Sequence, residues 1–345
     1  MGVDLGDLAV RNNISLKSLS GKIVAIDAFN MLYQFLASIR QEDGTPLMDY
    51  KGNVTAHLSG LFYRTSKLLE NGMRPVYVFD GKAHSFKSRV QKERSDAKKI
   101  AEKKWKEALE LEKYEDARKF AQATSRLTSE MIEESKLLLK AMGVPVVQAP
   151  SDGESQASTM VQKGIAYATA SQDYDALMFG SPKLVRNISI TGRRKVPRQN
   201  RFILVEPEEI DLQHTLSSLE INREKLIMIG ILSGTDFNEG VKGVGAKTGL
   251  KIVKQTNSLA EVISYVREKY KYEFEVDIEE VFNFFLNPPY NEVDKLKWEG
   301  IDSDSLKKML VEQHDFSEDR VERTIESVKK MAKEQASQSK LDQWF

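Results

Sequence analysis

Short runs of β-branched and aromatic residues alternate with longer segments of helical apolar spacing in the first half of the chain. The runs predict buried strands, and the longer segments predict amphipathic helices. The predicted strands are residues 22–26, 75–79, 144–147 and 165–170, and the predicted helices are residues 28–40, 51–70 and 131–142. Strands that alternate with helices favour a mainly parallel twisted sheet flanked by helices. The pattern therefore predicts an α/β fold.

Helical spacing dominates the second half of the chain. A strand-like run at residues 184–190 and a turn at Thr191 and Gly192 precede a stretch rich in arginine, which predicts a hairpin with a basic tip. That tip would serve either solubility or phosphate contact. The predicted helices are residues 223–232, 250–256, 258–270, 278–285, 303–311 and 318–333. We expect the last four of them to be packing elements.

Carboxylates stand at or just past the end of each predicted strand in the first half. They are Asp27 after the first strand, Asp80 after the second, Asp152 and Glu154 after the third, and Asp173 and Asp175 after the fourth. In parallel sheets, ligands bind in the crevice beyond the carboxyl ends of the strands. The two i,i+2 pairs can each direct both side chains to one side of an extended chain. We therefore expect these carboxylates to share one site.

Local capping is the alternative explanation for these residues. Ser151 and Glu154 fit the S-x-x-E capping box, and Asp152 could simply interact with the dipole of the following helix. A single aspartate at a strand end is most often a turn or cap residue. Several strands that end in this way favour a common site, but for Asp152 and Glu154 alone both readings stay open.

The number of carboxylates predicts divalent cations. Two like charges about 4 Å apart repel by about 4 kcal/mol at an effective dielectric constant near 20, so such a cluster is unfavourable without counterions. Oxygen ligands without cysteine or grouped histidine favour Mg²⁺ or Mn²⁺ over Zn²⁺. The four histidines, His57, His84, His214 and His314, have no metal-ligand spacing and are expected to be surface or structural residues.

Composition excludes several classes of protein. The 345 residues include no cysteine, which rules out disulfides, thiolate metal sites and cysteine nucleophiles. No apolar run approaches the roughly 20 residues that span a bilayer, and the N-terminus lacks a basic and an apolar signal region, so we expect neither membrane insertion nor secretion. Because 51 basic residues balance 51 acidic ones, only their distribution can indicate a partner.

Basic residues are concentrated in the long segment between the second and third predicted strands. Residues 82–106 carry ten lysines and arginines but only three carboxylates, whereas the rest of the segment, up to residue 126, is rich in glutamate. A charged run on a helix is usually a solvated face. Here the run follows Asp80 directly, so its first cations would lie over the carboxylates, and such an arrangement suits a bound polyanion.

A glycine-rich loop with several lysines occupies residues 240–249. Glycine lets the backbone approach a phosphate closely, and the amides at the start of the next helix can bind it without reading base sequence. An ordinary turn between helices is the alternative, but Lys242, Lys247, Lys251 and Lys254 favour phosphate binding. The loop is not a P-loop, because the G-x-x-x-x-G-K-S/T order is absent.

The C-terminal end combines a polar stretch with large apolar residues. Residues 332–340 are polar and predicted to be loose, yet Leu341 is followed by Trp344 and Phe345. Two aromatic side chains on a polar tail are unfavourable unless a partner covers them. The spacing is typical of a short helical turn that inserts an apolar plug into a groove on another protein.

Six segments together resemble the structure-specific flap endonucleases of the XPG-type nuclease family, over essentially the whole chain. They are AIDA at 25–28, YVFDGK at 77–82, APSDGE at 149–154, SQDYD at 171–175, GTD at 234–236 and GVG at 243–245. The last eight residues are similar to the sliding-clamp interacting peptide, which reads Q-x-x-aliphatic-x-x-aromatic-aromatic. The resemblance implies a PIN-like nuclease core with a helical arch insertion and a helix-two-turn-helix region.

Family membership would also assign roles to residues. It implies two Mg²⁺ ions, with Mn²⁺ as a substitute, held by Asp27, Asp80, Asp152, Glu154, Asp173, Asp175 and Asp236. The catalytic set would include Asp27, Asp80, Glu154 and Asp175 together with Lys87 and Arg94, which would contact the scissile phosphate, while Tyr33 would stack on a base near the cut. Gly243, Gly245 and Lys247 would grip the downstream duplex, with a monovalent ion such as K⁺ at the Gly243 loop. The clamp peptide would bind through Gln338, Leu341, Trp344 and Phe345.

The resemblance divides the chain into functional regions. The nuclease core would comprise residues 1–81 and 127–236, the basic arch 82–126, the DNA-binding and packing helices 237–333, and the tail with the clamp peptide 334–345. We expect a monomer that cleaves 5′ flaps and branched junctions in DNA and also degrades DNA from 5′ ends. These activities would serve DNA repair and DNA replication, including Okazaki fragment maturation. The end at Phe345, without a basic extension, favours an archaeal source and hence a cytoplasmic, nucleoid-associated protein; a eukaryotic one would be nuclear.

The sequence departs from the family pattern at two places, and three other functions remain open. Asp152 stands where the family often has glutamate, so it would ligate through water, and Ala83 with His84 replaces two prolines, which leaves the entry of the arch less defined. The alternatives are a PIN-type ribonuclease, a gap exonuclease and a non-catalytic DNA-binding scaffold. Preference for RNA would indicate the ribonuclease, and preference for gapped DNA the gap exonuclease. Absence of metal-dependent cleavage would indicate the scaffold.

Overall fold

A computed structural model of the chain describes residues 3–82, 87–111, 113–190, 192–195 and 202–341. For residues 87–96, 193–195, 202 and 335–341 it describes the backbone only. None of the helices in the described ranges is both long enough and apolar enough to cross a bilayer.

The described residues form one large sheet and a separate hairpin. The strands are β1 (Arg11–Asn13), β2 (Ile23–Asp27), β3 (Arg74–Phe79), β4 (Val146–Gln148), β5 (Ala168–Ala170), β6 (Lys183–Arg186), β7 (Gly192–Lys195), β8 (Phe202–Val205) and β9 (Glu208–Asp211). The large sheet has the order β1-β9-β6-β5-β2-β3-β4, and β7 pairs with β8. Strands β4, β3, β2, β5 and β6 are parallel to one another, which confirms the predicted parallel core.

Helices cover the sheet and build the second half of the molecule. They are α1 (Ala28–Ser38), α2 (Ala56–Glu70), α3 (Lys87–Glu110), α4 (Tyr114–Gln122), α5 (Ser129–Ala141), α6 (Gly153–Gln162), α7 (Asp175–Met178), α8 (Leu212–Leu219), α9 (Arg223–Ser233), α10 (Ala246–Gln255), α11 (Leu259–Tyr270), α12 (Ile278–Leu286), α13 (Ser303–Lys307) and α14 (Glu318–Leu341). A 3₁₀ turn spans Leu16–Leu19, and a π-helical segment spans Lys308–Gln313. The α/β class predicted from the sequence is confirmed.

The central strands are buried on both faces, which explains their continuous apolar sequences. Val24 and Ile26 of β2 pack into the cluster formed with α1, α2 and α5, whereas Ala25 packs on the opposite side with α6. An extended segment between α12 and α13 completes that second side, where Trp298 donates its indole N–H to the carbonyl of Pro75 at 2.8 Å. Burial of both faces leaves the ends of the strands as the accessible part of the sheet.

The antiparallel part of the sheet was not predicted. Strand β9 runs antiparallel to β6, and β1 pairs with β9 at the edge. The run predicted as a strand at 184–190 ends at Arg186, because Asn187 adopts a φ of 65° that breaks the extended chain. The first basic residues of the predicted hairpin tip, 193–195, lie on β7. The rest of the predicted tip, at 196–201, lies outside the described residues.

Several helix boundaries also differ from the predictions. Helix α2 begins at Ala56 rather than at residue 51, because Gly52 has a φ of 84° within a turn closed by Asp49. Helix α10 begins at Ala246, so Lys247 lies in its first turn and not in a preceding loop. Helix α14 continues to Leu341, through the stretch predicted to be loose.

Candidate metal centre

Two neighbouring parallel strands deliver the first carboxylates. Ile26 of β2 lies opposite Tyr77 of β3, so Asp27 and Asp80 leave the sheet at the same edge. Asp27 ends β2 and caps α1, where its Oδ1 accepts the N–H of Asn30 at 3.0 Å. Asp80 follows β3, and its Oδ1 accepts the N–H of Gly153 at 3.1 Å. Asp80 is therefore hydrogen-bonded directly to the start of α6.

Helix α6 supplies the next two carboxylates. Asp152 is its N-cap and accepts the N–H of Ser155 at 3.0 Å, so the predicted capping box that begins at Ser151 is wrong by one residue. Glu154 does not serve as a partner of the cap. Its side chain is 7 % exposed, and its Oε1 is buried without a hydrogen-bond partner among the described residues. An orphaned carboxylate oxygen in the interior is costly, which indicates a role other than capping.

The loop after β5 supplies Asp173 and Asp175. Asp173 Oδ2 accepts a hydrogen bond from Asn30 Nδ2 at 2.8 Å, and Asp175 Oδ1 accepts the N–H of Val3 at 2.7 Å. Asp175 also begins the short helix α7 and is 4 % exposed. The donors from Asn30 and Val3 lie far from these aspartates in sequence, so long-range contacts orient both side chains.

The carboxylates repel one another strongly enough to perturb their protonation. Burial raises the pKa of Glu154 well above its ordinary value of 4.5, and the charges of Asp175, Asp27, Asp173 and Asp152 raise it further. Glu154 would therefore keep its proton more readily than it does in water, because an added negative charge is unfavourable in this crowded interior.

The pKa values of Asp27 and Asp175 are also raised, again by burial and by the charges of neighbouring carboxylates. Burial raises the pKa of Asp27, with further contributions from Asp80, Asp152 and Asp173, while the hydrogen bond from Asn30 lowers it.

Burial raises the pKa of Asp175, the charges of Asp236, Asp173 and Asp152 add to it, and the N–H of Val3 opposes it. These pairwise effects connect Asp175 to Asp236, which lies in the loop after α9. The structure thus brings together all seven predicted carboxylates.

The donor set fits a hard divalent cation. The ligand atoms on offer are carboxylate oxygens, and Glu154 Oε1 is a buried acceptor to which no described group donates. As the side chains stand, no three or more His, Asp or Glu residues in the described ranges are arranged so that they could hold a metal ion. Mutual repulsion keeps such carboxylates apart unless a cation draws them together.

The basic insertion begins beside this site. Lys87 and Arg94 lie on α3, but their side chains lie outside the described residues. Tyr33 of α1 is 39 % exposed, and Lys98 of α3 lies over its ring with Nζ 5.1 Å from the centroid. Near its C-terminal end, α3 also contacts the loop after α1, where Trp105 Nε1 donates to the carbonyl of Asp43 at 3.2 Å.

The glycine-rich loop leads into α10. Gly243 has a φ of 83°, which favours glycine, whereas Gly245 has an ordinary backbone conformation and forms the N-cap. A Cβ at either position would meet no atom of the described chain within 4 Å, so internal packing does not explain these glycines. Lys247 is 70 % exposed at its side chain and forms a 2.9 Å ion pair with Asp7.

The tail and the histidines complete the predicted set. Gln338 and Leu341 belong to the backbone of α14, but their side chains, and the whole of Trp344 and Phe345, lie outside the described residues.

His57 is fully buried and bonded to Glu134 at 2.9 Å, and His314 contacts Glu134 and Asp49 at 3.6 and 3.2 Å. Both histidines are structural, as expected, while His84 lies outside the described residues.

Sequence patterns missed two residues that shape the site. Asn30 could have been noticed, because it occupies the third position of the helix that follows Asp27, where glutamate or glutamine is usual in a capping box. Val3 offers no signal, since it acts through its backbone N–H across 172 residues of sequence.

Comparisons with known proteins give a consistent family. Residues 5–101 match the XPG N-terminal domain and residues 143–236 match the XPG I-region. The chain is 51 % identical over 346 residues to flap endonuclease 1 of Thermococcus onnurineus, covering 100 % of this chain and 99 % of the relative. It is 49 % identical over 347 residues to flap endonuclease 1 of Pyrococcus furiosus, with the same coverage.

Solved structures agree with these relatives. The structure of flap endonuclease-1 from Methanococcus jannaschii is 39 % identical in sequence, with a TM-score of 0.75 and coverage of 97 % of this chain and 100 % of that one. The catalytic core of Rad2 in complex with DNA substrate matches with a TM-score of 0.69, 21 % identity and coverage of 94 % and 97 %, which supports the fold. The predicted resemblance is confirmed: the chain belongs to the flap endonuclease family of XPG-type nucleases, hydrolytic endonucleases that need divalent metal ions.

Proposed function

We propose that this protein hydrolyses phosphodiester bonds in DNA at junctions between single and double strands, as a structure-specific 5′ flap endonuclease with 5′–3′ exonuclease activity. The observation that carries the proposal is the buried group of carboxylates at the ends of β2, β3 and β5 and at the start of α6. Their mutual repulsion is unfavourable for folding, so it needs a functional reason. Replication, through Okazaki fragment maturation, and repair are the processes that generate such junctions.

Seven residues would hold the metal: Asp27, Asp80, Asp152, Glu154, Asp173, Asp175 and Asp236. Two Mg²⁺ ions, with Mn²⁺ as a substitute, would activate water and stabilise charge on the attacking and leaving oxygens. Glu154 contributes the orphaned oxygen Oε1, and Asp152 the shorter side chain that we expect to ligate through water. Backbone N–H donors orient Asp27, Asp80 and Asp175, and bound ions would then draw these carboxylates together.

Cations on α3 would bind the reacting strand. Lys87 begins the helix that follows the site, and Arg94 lies about two turns further along; both would neutralise charge on the scissile phosphate as catalytic groups. The insertion at 82–126 would form an arch over the 5′ strand. Tyr33 would stack on a base near the cut, since its ring is partly exposed and already carries a cation contact with Lys98.

The glycine-rich loop would hold the downstream duplex. Gly243 and Gly245 leave room for a close approach of phosphate, and the N-terminus of α10 directs backbone amides at it. Lys247 would exchange its partner Asp7 for a phosphate. A monovalent ion such as K⁺ would bind at the Gly243 loop. Contacts of this kind recognise backbone shape, so specificity would come from the bent junction.

The C-terminal peptide would recruit a sliding clamp. Gln338, Leu341, Trp344 and Phe345 would provide the polar and apolar contacts, and the backbone of α14 reaches the first two of them. We propose a monomer that works in the cytoplasm of an archaeal cell, at the nucleoid where DNA is replicated.

A pair of matched aspartates tests the site. Asp27 and Asp211 both end a strand and cap the next helix through one backbone N–H, but β9 is antiparallel to β6, so Asp211 lies at the opposite edge of the sheet. Each alanine variant loses a cap worth about 1 kcal/mol. We expect Asp27→Ala to abolish cleavage of a labelled double-flap DNA in Mg²⁺ but to retain DNA binding, and Asp211→Ala to cleave normally.

Cleavage by Asp27→Ala at the rate of the unsubstituted protein would contradict the site. The same assay with gapped DNA, flapped RNA and EDTA separates the remaining functions. Preference for gapped DNA would indicate a gap exonuclease, preference for RNA a PIN-type ribonuclease, and metal-independent binding without cleavage a scaffold.

A further inference from the structure

Asn30 makes three hydrogen bonds, and two of them are with carboxylates of the site. Its backbone N–H donates to Asp27 Oδ1 at 3.0 Å, and its side-chain Nδ2 donates to Asp173 Oδ2 at 2.8 Å. Its side-chain Oδ1 accepts the N–H of Gln172 at 3.1 Å. The residue thus spans the gap between the end of β2 and the loop after β5, which are neighbouring strands in the sheet.

Ordinary helix capping does not explain this arrangement. In a capping box the side chain at the third helical position turns back and accepts the backbone N–H of the N-cap residue. Asn30 occupies that position, since Asp27 is the N-cap, but its side chain is directed across to Gln172 and Asp173 instead. Both halves of the amide are used by the other strand, so the contact is with the site and not with the cap.

Both partners of the Asn30 amide fix its orientation. Gln172 offers an N–H, which needs the amide oxygen, and Asp173 offers a carboxylate oxygen, which needs the amide NH₂. The reverse orientation would place oxygen against oxygen and N–H against N–H, at the loss of both hydrogen bonds. The side chain of Asn30 therefore holds Asp173 at a defined distance from Asp27.

We propose that Asn30 is a positioning residue that sets the affinity of the site for divalent metal. The inference rests on the proposed function in one respect, that Asp27 and Asp173 are metal ligands. A carboxylate held by a neutral donor is presented to an ion without first having to be turned, and like-charged neighbours cannot push it aside. Loss of such a supporting contact typically weakens metal binding by about 10- to 100-fold.

Metal binding by the DNA-free protein tests the proposal directly. Asn30→Ala removes both side-chain hydrogen bonds, and Asn30→Leu removes them while nearly keeping the volume; the backbone N–H to Asp27 survives in both. We expect calorimetric titration with Mn²⁺ to show affinity lower by about 10-fold in each variant. In flap cleavage, the Mg²⁺ concentration at half-maximal rate should rise by a similar factor, with a smaller change in the rate at saturating Mg²⁺.

Gln34→Ala is the matched control. Gln34 is an amide on the same helix, one turn further along, and it is hydrogen-bonded to Ser189 rather than to a carboxylate of the site. Its Mn²⁺ affinity should equal that of the unsubstituted protein, and circular dichroism should show all three variants folded. A purely structural role of Asn30 would lower the unfolding temperature without moving the Mn²⁺ affinity.

Unchanged Mn²⁺ affinity in both Asn30→Ala and Asn30→Leu would overturn the proposal. Failure of the proposed function gives a different result, because the unsubstituted protein would then bind Mn²⁺ but leave flap DNA intact. In that case the Asn30 variants would still bind Mn²⁺ more weakly.

Discussion

Replacing Glu154 with glutamine should make the metal-free protein more stable while it abolishes cleavage. Glu154 is buried among carboxylates, and burial together with their charges raises its pKa well above 4.5. In the unfolded chain the same group titrates near that ordinary value. Between the two pKa values the folded protein keeps a proton that the unfolded chain has lost, so the free energy of unfolding falls as the pH rises. Glutamine removes this penalty, because it does not titrate.

The size of the effect follows from the linkage. A shift of one pKa unit corresponds to about 1.4 kcal/mol, so near pH 8 the penalty from Glu154 can reach at most about 5 kcal/mol, and near pH 5.5 about 1.4 kcal/mol. Burial of an imperfectly bonded amide removes about 1–3 kcal/mol of the gain. We therefore expect Glu154→Gln to be more stable than the unsubstituted protein near pH 8, by at most about 2–4 kcal/mol, and to have no such advantage near pH 5.5, where the cost of the amide equals or exceeds the penalty.

Thermal unfolding in EDTA across this pH range measures the prediction. Saturating Mg²⁺ should reverse the order, because an ion that binds only the folded state stabilises the unsubstituted protein and stabilises the variant less. Glu134→Gln is the control with the opposite sign: the hydrogen bond from His57 lowers the pKa of Glu134, so its loss should destabilise the protein near pH 8. A Glu154→Gln protein that is less stable than the unsubstituted one in EDTA near pH 8 would refute the reasoning.

Three further predictions concern the site and its surroundings. Gly153→Ala should reduce cleavage at least 10-fold and lower stability by about 1–3 kcal/mol, because a Cβ there would lie 2.6 Å from Asp80 Oδ1. Single-turnover rates measure the first effect and thermal unfolding the second. An unchanged cleavage rate would contradict the contact with Asp80. Lys87→Ala should slow single-turnover cleavage by about 100-fold with little change in DNA affinity, as expected for charge stabilisation in the transition state, and equal single-turnover rates would remove Lys87 from the catalytic set. Truncation after Gln335 should leave basal cleavage intact and abolish both stimulation by a sliding clamp and capture in a pull-down, whereas retained capture would place the clamp contact elsewhere.

Continuous apolar runs between segments of helical spacing were sufficient to predict the parallel core, because its strands are buried on both faces. Strand β3, for example, has a continuous apolar sequence whose residues pack alternately on the two sides of the sheet. Strand β1 could not be found in this way. Its sequence is Arg-Asn-Asn, it is exposed throughout, and only its pairing with β9 makes it a strand. Partner-dependent elements of this kind leave no periodic signal in the sequence.

The sequence predicted that the carboxylates lie close together, as they do in the structure, but it did not predict the groups that orient them; the metal-binding role of the carboxylates stays a prediction. Asp27 and Asp80 were recognised because parallel strands carry their C-terminal residues to one edge of the sheet, which depends on topology alone. The donors that orient Asp173 and Asp175 come from Asn30 and from the backbone of Val3. Such contacts are set by the tertiary packing of distant segments. The spacing of Asn30 from Asp27 indicates a capping position but does not indicate its contact with Asp173, and nothing in the sequence indicates the contact of Val3.

Capping and metal binding are compatible roles for the same side chain. Asp27 and Asp152 each accept a hydrogen bond from a backbone N–H with one oxygen, as helix caps do. A carboxylate has about four lone-pair positions, so one such bond leaves capacity for an ion. The cap also fixes the rotamer of the side chain, so the side chain would lose less conformational entropy when an ion binds. Local capping and a shared site are therefore compatible explanations of these aspartates, because a cap would also orient a metal ligand. Glu154 is different, because it caps no helix and its Oε1 has no hydrogen-bond partner in the described part of the chain. Capping therefore cannot explain Glu154, and only a functional role does.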